Sequence, residues 1–160
     1  MRSVLIVLSV ALVSCSSKPE ASPESTEKPT VSSTNDQKAY LEKAAAEPGA
    51  QKTASGLVYR DVTAGSGASP KATDTVKVHY RGTLTNGTEF DSSYKRNQAA
   101  EFPLNGVIPC WTEGVQRMKV GGKSQLVCPA DIAYGDRGSP PLISDGATLI
   151  FEIELLGMTP

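Results

Sequence analysis

The chain has little of what proteins most often use to make and break bonds. Its 160 residues include one histidine, one tryptophan and three cysteines. His79 alone cannot supply a histidine ligand set, and no Cys-x-x-Cys spacing occurs, so neither zinc nor another metal is expected. The same histidine falls on the polar face of a strand, between Lys77 and Arg81, and reads as a solvated surface residue, which leaves no catalytic triad. A phosphate-binding loop is missing too, because Gly65-Ser66-Gly67 lies in a turn before another strand instead of opening a helix. Nor is there an excess of one charge. Sixteen Lys and Arg stand against 17 Asp and Glu, a formal −1, so the chain has no polyanion footprint and nucleic acid is excluded as a partner. No cofactor is expected.

Long hydrophobic runs are also scarce. The longest, residues 3–14, follows Arg2 and has 12 residues, too few to span a bilayer alone. It reads as an export signal over residues 1–14. Its end, Leu12-Val13-Ser14-Cys15, resembles the bacterial lipobox, which implies that Cys15 is lipidated and becomes the mature N-terminus. The competing reading is an ordinary secretory signal cut nearby, with Cys15 incidental. Several acyl chains on one residue meet the requirement for stable anchoring, so the lipobox reading ties the protein to a membrane without spanning it. Ser16, where an Asp would argue for inner-membrane retention, favours the periplasmic face of the outer membrane.

Residues 15–36 are almost entirely Ser, Pro, Thr, Glu and Lys, with no apolar pattern to offset the entropy of ordering. As a loose coil this tether would hold a domain on the order of 25 Å from the lipid. Two cysteines remain, Cys110 and Cys128. In an exported protein they suggest a disulfide, with two buried thiols as the alternative.

Residues 37–53 read as a short helix and lead-in, capped by Asn35-Asp36, striped by Tyr40, Leu41 and Ala44, and ended by Pro48-Gly49. The helix is too short for a dimerisation domain, and a monomer is expected. From residue 54 to 160 the texture is that of one folded domain with one core. "GLVYRDV" alternates, opposing Val58 and Val62 to Leu57 and Tyr59. "DTVKVHYRGTL" puts Val76, Val78 and Tyr80 on one face, and Asn86-Gly87 signals a hairpin. "KSQLVC" and "ATLIFEIELLGM" complete the strands, the latter with Leu149, Phe151, Ile153 and Leu155 on one side. One helix interrupts them, residues 109 to about 118, with Trp111, Val115 and Met118 inward and Gly121-Gly122 past its end. Gly114 within it costs about 1 kcal/mol against Ala, tolerable where another backbone segment approaches closely. The predicted fold is α+β, an antiparallel sheet of five to six strands wrapped around one short helix.

Aromatics are few, yet they recur in suggestive places. Tyr80, Phe90, Phe102, Val107, Ile108, Trp111, Tyr134, Leu142, Ile143 and Phe151 form the apolar inventory, and Asp91 and Arg96 interrupt it in "EFDSSYKRN". Several of these must be core. Tyr134, however, lies in the Gly/Pro-rich "DIAYGDRGSPPLISDG", where a core aromatic has little to pack against. In order and spacing, "VKVHYRGTLTNGTEFDSSYKRN", "VIPCWTEGVQRMKVGGKSQL", "PADIAYGDRG" and "ATLIFEIELLGM" resemble the FKBP-type peptidyl-prolyl cis–trans isomerases. The likeness covers roughly residues 54 to 159, and the leader and tether make the chain look like exported lipoprotein members.

The resemblance implies a proline pocket made by Tyr80, Phe90, Asp91, Val107, Ile108, Trp111, Tyr134, Ile143 and Phe151. Trp111 would be its floor, Phe102 a supporting residue and Leu142 a flanking apolar position. Arg96 would pair with Asp91, while the Ile108 N–H and the Tyr134 hydroxyl would grip peptide carbonyls. The expected partners are proline-containing proteins and peptides, with macrolide inhibitors as further ligands. The expected activity is X–Pro isomerisation in extracytoplasmic proteins, with a non-catalytic chaperone or binding module as the alternative. Three departures from the family pattern stand out: Ala100 where a pocket aromatic is frequent, Ser139 and Pro141 in the long loop, and Cys110 where glycine is common.

Overall fold

The computed structural model describes residues 34–160. The signal over residues 1–14, lipidation of Cys15 and nearly all of the tether lie outside the described residues. The elements in chain order are helix α1 (Thr34–Ala45), strands β1 (Ala50–Lys52), β2 (Val58–Thr63), β3 (Thr75–Leu84), β4 (Glu89–Ser92) and β5 (Ala100–Pro103), helix α2 (Pro109–Val115), and strands β6 (Lys123–Cys128) and β7 (Leu149–Thr159).

All seven strands join one antiparallel sheet in the order β1-β2-β6-β7-β3-β4, with β5 also paired to β3. The α+β class holds, but the strand count exceeds the five to six expected. The additional pieces, β1 and β5, are three and four residues long, too short to display an alternating pattern. They become strands because β2 and β3 offer them unpaired backbone edges.

At the centre, β7 pairs with β3 from Leu84↔Leu149 to Thr75↔Thr159, and on its other side with β6. The inward rows of these strands (Val76, Val78 and Tyr80; Leu126 and Cys128; Leu149, Phe151, Ile153 and Leu155) are buried against Trp111, Val115 and Met118. Helix α2 is shorter than its sequence pattern. After Val115 the chain tightens through Arg117 N–H to Gly114 O and Met118 N–H to Val115 O, so Met118 reaches the core from a turn. Gly114 shows why an expensive residue sits inside so short a helix. A Cβ there would lie 2.2 Å from Leu126 Cδ2, so glycine lets α2 lie directly on β6.

The outer sheet face is covered at one end by α1. Tyr40, Leu41 and Ala44 pack on Val58, Val127 and Ile150, and the Gln37 side chain accepts a hydrogen bond from the Thr148 N–H at 2.9 Å. Asn35 and Asp36 lie inside α1 (Thr34–Ala45) and not before it. Val62, read as apolar alternation, is exposed, since α1 does not extend that far. His79 is less solvated than its polar-face position suggested. Its ring stacks on Tyr94 at 4.8 Å, and Nδ1 lies 3.0 Å from Ser93 Oγ.

Candidate active site

Where β3, β4, β5, β7 and the start of α2 converge, their side chains leave a hollow of about 390 Å³. Tyr80, Phe90, Asp91, Phe102, Gly106, Val107, Ile108, Trp111, Tyr134 and Phe151 line it. This volume suits a small ring with its flanking backbone. A larger groove of about 720 Å³ runs past Lys77 and residues 96–101, but no aromatic lines it, so the aromatic hollow is the better candidate.

The floor is Trp111, only 4 % exposed. Three rings meet the indole edge to face: Tyr80 at 5.2 Å, Phe151 at 5.3 Å and Phe102 at 5.6 Å, with interplanar angles of 82–90°. Phe90 extends the wall, perpendicular to Phe151 at 5.6 Å. Such edge-to-face contacts add about 0.5–1.5 kcal/mol per pair beyond burial and set the orientations of the rings relative to one another. The indole Nε1 is buried and has no hydrogen-bond partner among the described residues.

One wall is polar. Tyr80 Oη donates to Asp91 Oδ2, Arg96 Nη1 donates to Asp91 Oδ1, and Arg96 Nη2 donates to Tyr80 Oη at 2.8 Å. The guanidinium carbon also lies 5.6 Å from the Tyr80 ring centroid. Burial, reinforced by the hydrogen bond to Asp91, pushes the Tyr80 hydroxyl above its ordinary value. For Asp91 burial works upward, but the hydrogen bonds from Tyr80 and Arg96 and the positive charge outweigh it, so its carboxyl titrates below the usual aspartate. Arg96 is held above its own ordinary value, chiefly by the hydrogen bond to Asp91. Asp91 is therefore an anion that the site keeps as one. It is not a proton donor at neutral pH.

Two donors stay free at the mouth. The Ile108 N–H has no acceptor among the described residues, while its carbonyl receives the N–H groups of Trp111 (2.9 Å) and Thr112 (3.2 Å). Pro109 at the first position of α2 explains the arrangement. It needs no N–H partner, and Ile108 stays extended at φ −58° and ψ 147°. Tyr134 stands 42 % exposed on the rim, its hydroxyl without a partner among the described residues.

Leu142 and Ile143 do not reach the hollow. With Ser139, Pro140 and Pro141 they border a second one of about 310 Å³, which shares Phe90, Asp91 and Tyr134 with the first. Leu142 is 59 % exposed, whereas Ile143 is buried and accepts the Ser139 N–H at 2.8 Å, closing the loop. Ala100 packs at the edge of the core and lines the larger groove instead of the aromatic hollow. Cys110 and Cys128 are joined by a disulfide, Cα to Cα 5.8 Å, and neither is exposed.

Sequence reasoning missed three contributors. Gly106 lines the hollow directly. Gly82 makes room for the wall, since a Cβ there would fall 2.5 Å from Phe90 Cζ and 3.0 Å from Phe151 Cε1. A lone glycine inside a strand pattern was the available signal. Ser93 grips the Tyr80 backbone. Its Oγ accepts from the Tyr80 N–H at 2.8 Å and donates to the Tyr80 carbonyl at 3.2 Å. Nothing in the sequence pattern marked it.

A single curled antiparallel sheet over one short helix, with an aromatic-floored hollow at the helix start, defines a small α+β domain built around one apolar binding pocket. Residues 67–156 match the family model for FKBP-type peptidyl-prolyl cis–trans isomerases, and the chain belongs to that family. It is 50 % identical over 123 residues to the FKBP-type peptidyl-prolyl cis–trans isomerase FkpA of Escherichia coli K12, covering 77 % of this chain and 45 % of the relative. It is 44 % identical over 121 residues to the peptidyl-prolyl cis–trans isomerase Mip of Coxiella burnetii, covering 76 % and 53 %. The chain thus spans about half the length of these curated relatives. Among solved structures, FkpA from Escherichia coli superposes with a TM-score of 0.76 at 49 % identity, covering 79 % of this chain and 59 % of that one. A peptidyl-prolyl cis–trans isomerase from Pseudomonas syringae gives 0.75 at 36 % identity, covering 84 % and 99 %.

Proposed function

We propose that the chain is a peptidyl-prolyl cis–trans isomerase that accelerates rotation about X–Pro bonds in the aromatic hollow. The observation that carries this reading is an apolar cavity floored by Trp111 and bordered by two donors without acceptors among the described residues, the Ile108 N–H and the Tyr134 hydroxyl. Rotation about an amide is slow because the C–N bond has partial double-bond character, a barrier of ~18–20 kcal/mol. The planar amide is more dipolar than the twisted form, so an apolar wall disfavours the ground state relative to the transition state. The rings hold the pyrrolidine by shape, and the two donors orient the carbonyls on either side. Asp91, kept anionic by Tyr80 and Arg96, gives the wall a fixed negative pole. No covalent step is required of any residue.

Phe102 supports the floor, and the loop bearing Leu142 and Ile143 borders the residue flanking the proline. Macrolide inhibitors that mimic a twisted prolyl amide would enter the same hollow. The leader supports an exported protein tethered through lipidated Cys15 to a bacterial membrane, acting as a monomer on proteins that fold outside the cytoplasm.

The test is relaxation of a cis-enriched X–Pro peptide followed without a coupling protease. Wild type is expected to accelerate it catalytically, and Trp111→Ala to lose most of that acceleration. A wild-type protein that binds the peptide but leaves its relaxation unchanged would make this a non-catalytic binding module.

A further inference from the structure

The floor of the hollow is carried by an element that cannot hold itself in place. Helix α2 has seven residues, below the length at which a helix persists alone, and no side chain caps its N-terminus. Its Trp111 also hides an indole N–H with no partner among the described residues, a cost that favours any rotation taking the ring toward water.

The Trp111 ring rests on β3, β5 and β7, and Thr112 Oγ1 donates to the Leu104 carbonyl at 2.6 Å, but the two closest approaches of the helix itself to the sheet both fall on β6. Cys110 is bonded to Cys128, and Gly114 lies directly against Leu126. Positions 110 and 114 are one turn apart on the same helix face. Positions 126 and 128 are alternate residues, hence on the same face of β6, and Leu126 is in turn paired with Phe151, which forms the pocket wall. Trp111 sits between the pins, turned about 100° from Cys110 around the helix axis. The Gly114 contact limits how closely helix and strand approach but, having no side chain, resists rotation weakly. The covalent bond at Cys110 resists it strongly. Because the indole lies adjacent to that bond, a modest roll of α2 would tilt the floor against Tyr80, Phe102 and Phe151 together.

We propose that the Cys110–Cys128 disulfide is a positioning element of the site. It sets the axial rotation of α2 and so the attitude of the Trp111 floor. The catalytic consequence rests on the isomerase reading above, while the positional one stands without it. The pair titrates nothing and touches no substrate; it acts through the indole. Both cysteines are fully buried, so the bond is a permanent strut and not an exposed redox switch. It follows that the pocket is fully formed only where thiols are oxidised.

The experiment compares oxidised wild type with Cys110→Ala/Cys128→Val, in which valine keeps bulk at the strand position. The single tryptophan makes fluorescence specific to the floor. With the variant folded by far-UV dichroism and cooperative melting, its emission is expected to move to the red and acrylamide quenching to rise. KM for the X–Pro peptide is expected to rise roughly three- to tenfold with kcat changed less, because a tilted floor weakens ground and transition states alike. A folded variant with wild-type emission, quenching and KM overturns the proposal. If the double variant does not fold, wild type is unfolded and reduced, then refolded in excess reductant, with free thiols counted by alkylation and mass. Unchanged emission and quenching in that reduced, folded protein overturn the proposal equally. Should wild type itself prove inactive on X–Pro peptides, the isomerase reading fails, and the fluorescence arm still decides the strut.

Discussion

Replacing Gly82 with alanine tests the wall of the site at a residue that touches no ligand. The added Cβ would sit 2.5 Å from Phe90 Cζ, 2.7 Å from Phe90 Cε2 and 3.0 Å from Phe151 Cε1. Carbon atoms in good contact lie about 3.5–4.0 Å apart, so one ring must retreat by about 1 Å. Phe151 is buried to 4 % exposure with Trp111 beside it and cannot yield. Phe90 is half-buried and borders the open hollow, so it swings inward. The strain is thereby relieved cheaply, and the stability loss should fall at the low end of overpacking, about 1 kcal/mol, or a few degrees in Tm. The function should suffer more, because the displaced ring occupies space meant for the proline. We expect kcat/KM for an X–Pro peptide to fall roughly tenfold or more, mostly through KM. Gly157→Ala is the control: that glycine also lies in a strand, at a φ that L residues adopt, and nothing stands within 4 Å of where a Cβ would lie. It should change stability by less than about 0.5 kcal/mol and leave turnover unchanged. Wild-type kcat/KM in Gly82→Ala, with the fold intact, would refute the claim that the Phe90–Phe151 wall shapes the site.

Asp91→Ala and Tyr134→Phe should each slow isomerisation several-fold without abolishing it; complete loss in either, with the fold preserved, would indicate acid–base or covalent chemistry. Because the folded Asp91 carboxyl titrates below its ordinary 3.8, its contribution is present above that value and is lost only as pH falls through the lowered folded value. Activity should therefore be flat from pH 5 upward through neutrality, and Arg96→Ala should move the acid limb of kcat/KM upward; an unmoved limb would separate Asp91 from the rate. Tyr40→Ala/Leu41→Ala strips the helix face that covers Val58, Val127 and Ile150, and should lower unfolding stability by about 2 kcal/mol. Its kcat/KM should match wild type, since α1 lines no part of the hollow; a fall in kcat/KM would reveal coupling across the sheet.

Much of the molecule was legible as pattern. Alternation in the segments that became β3, β6 and β7, and the inward spacing of Trp111 and Val115, reports side chains that must all find one apolar interior, and that requirement is local. The four ordered motifs led to the family for a related reason. They place aromatics where a loop or a short helix would not otherwise want them. Chain order therefore determined the α+β class and the inward faces, and the family resemblance named most, not all, of the residues that line the hollow. Tertiary structure decided the rest. The edge pieces β1 and β5 exist because neighbouring strands supply hydrogen bonds, and no pattern of three or four residues can announce that. Leu142 and Ile143 went to a neighbouring hollow because loop closure between Ser139 and Ile143 directs them there. The charge state of Asp91, the ring clearance at Gly82 and the pinning of α2 at Cys128 depend on distances between residues far apart in the chain. Such distances arise only when the sheet has curled and its strands are in register.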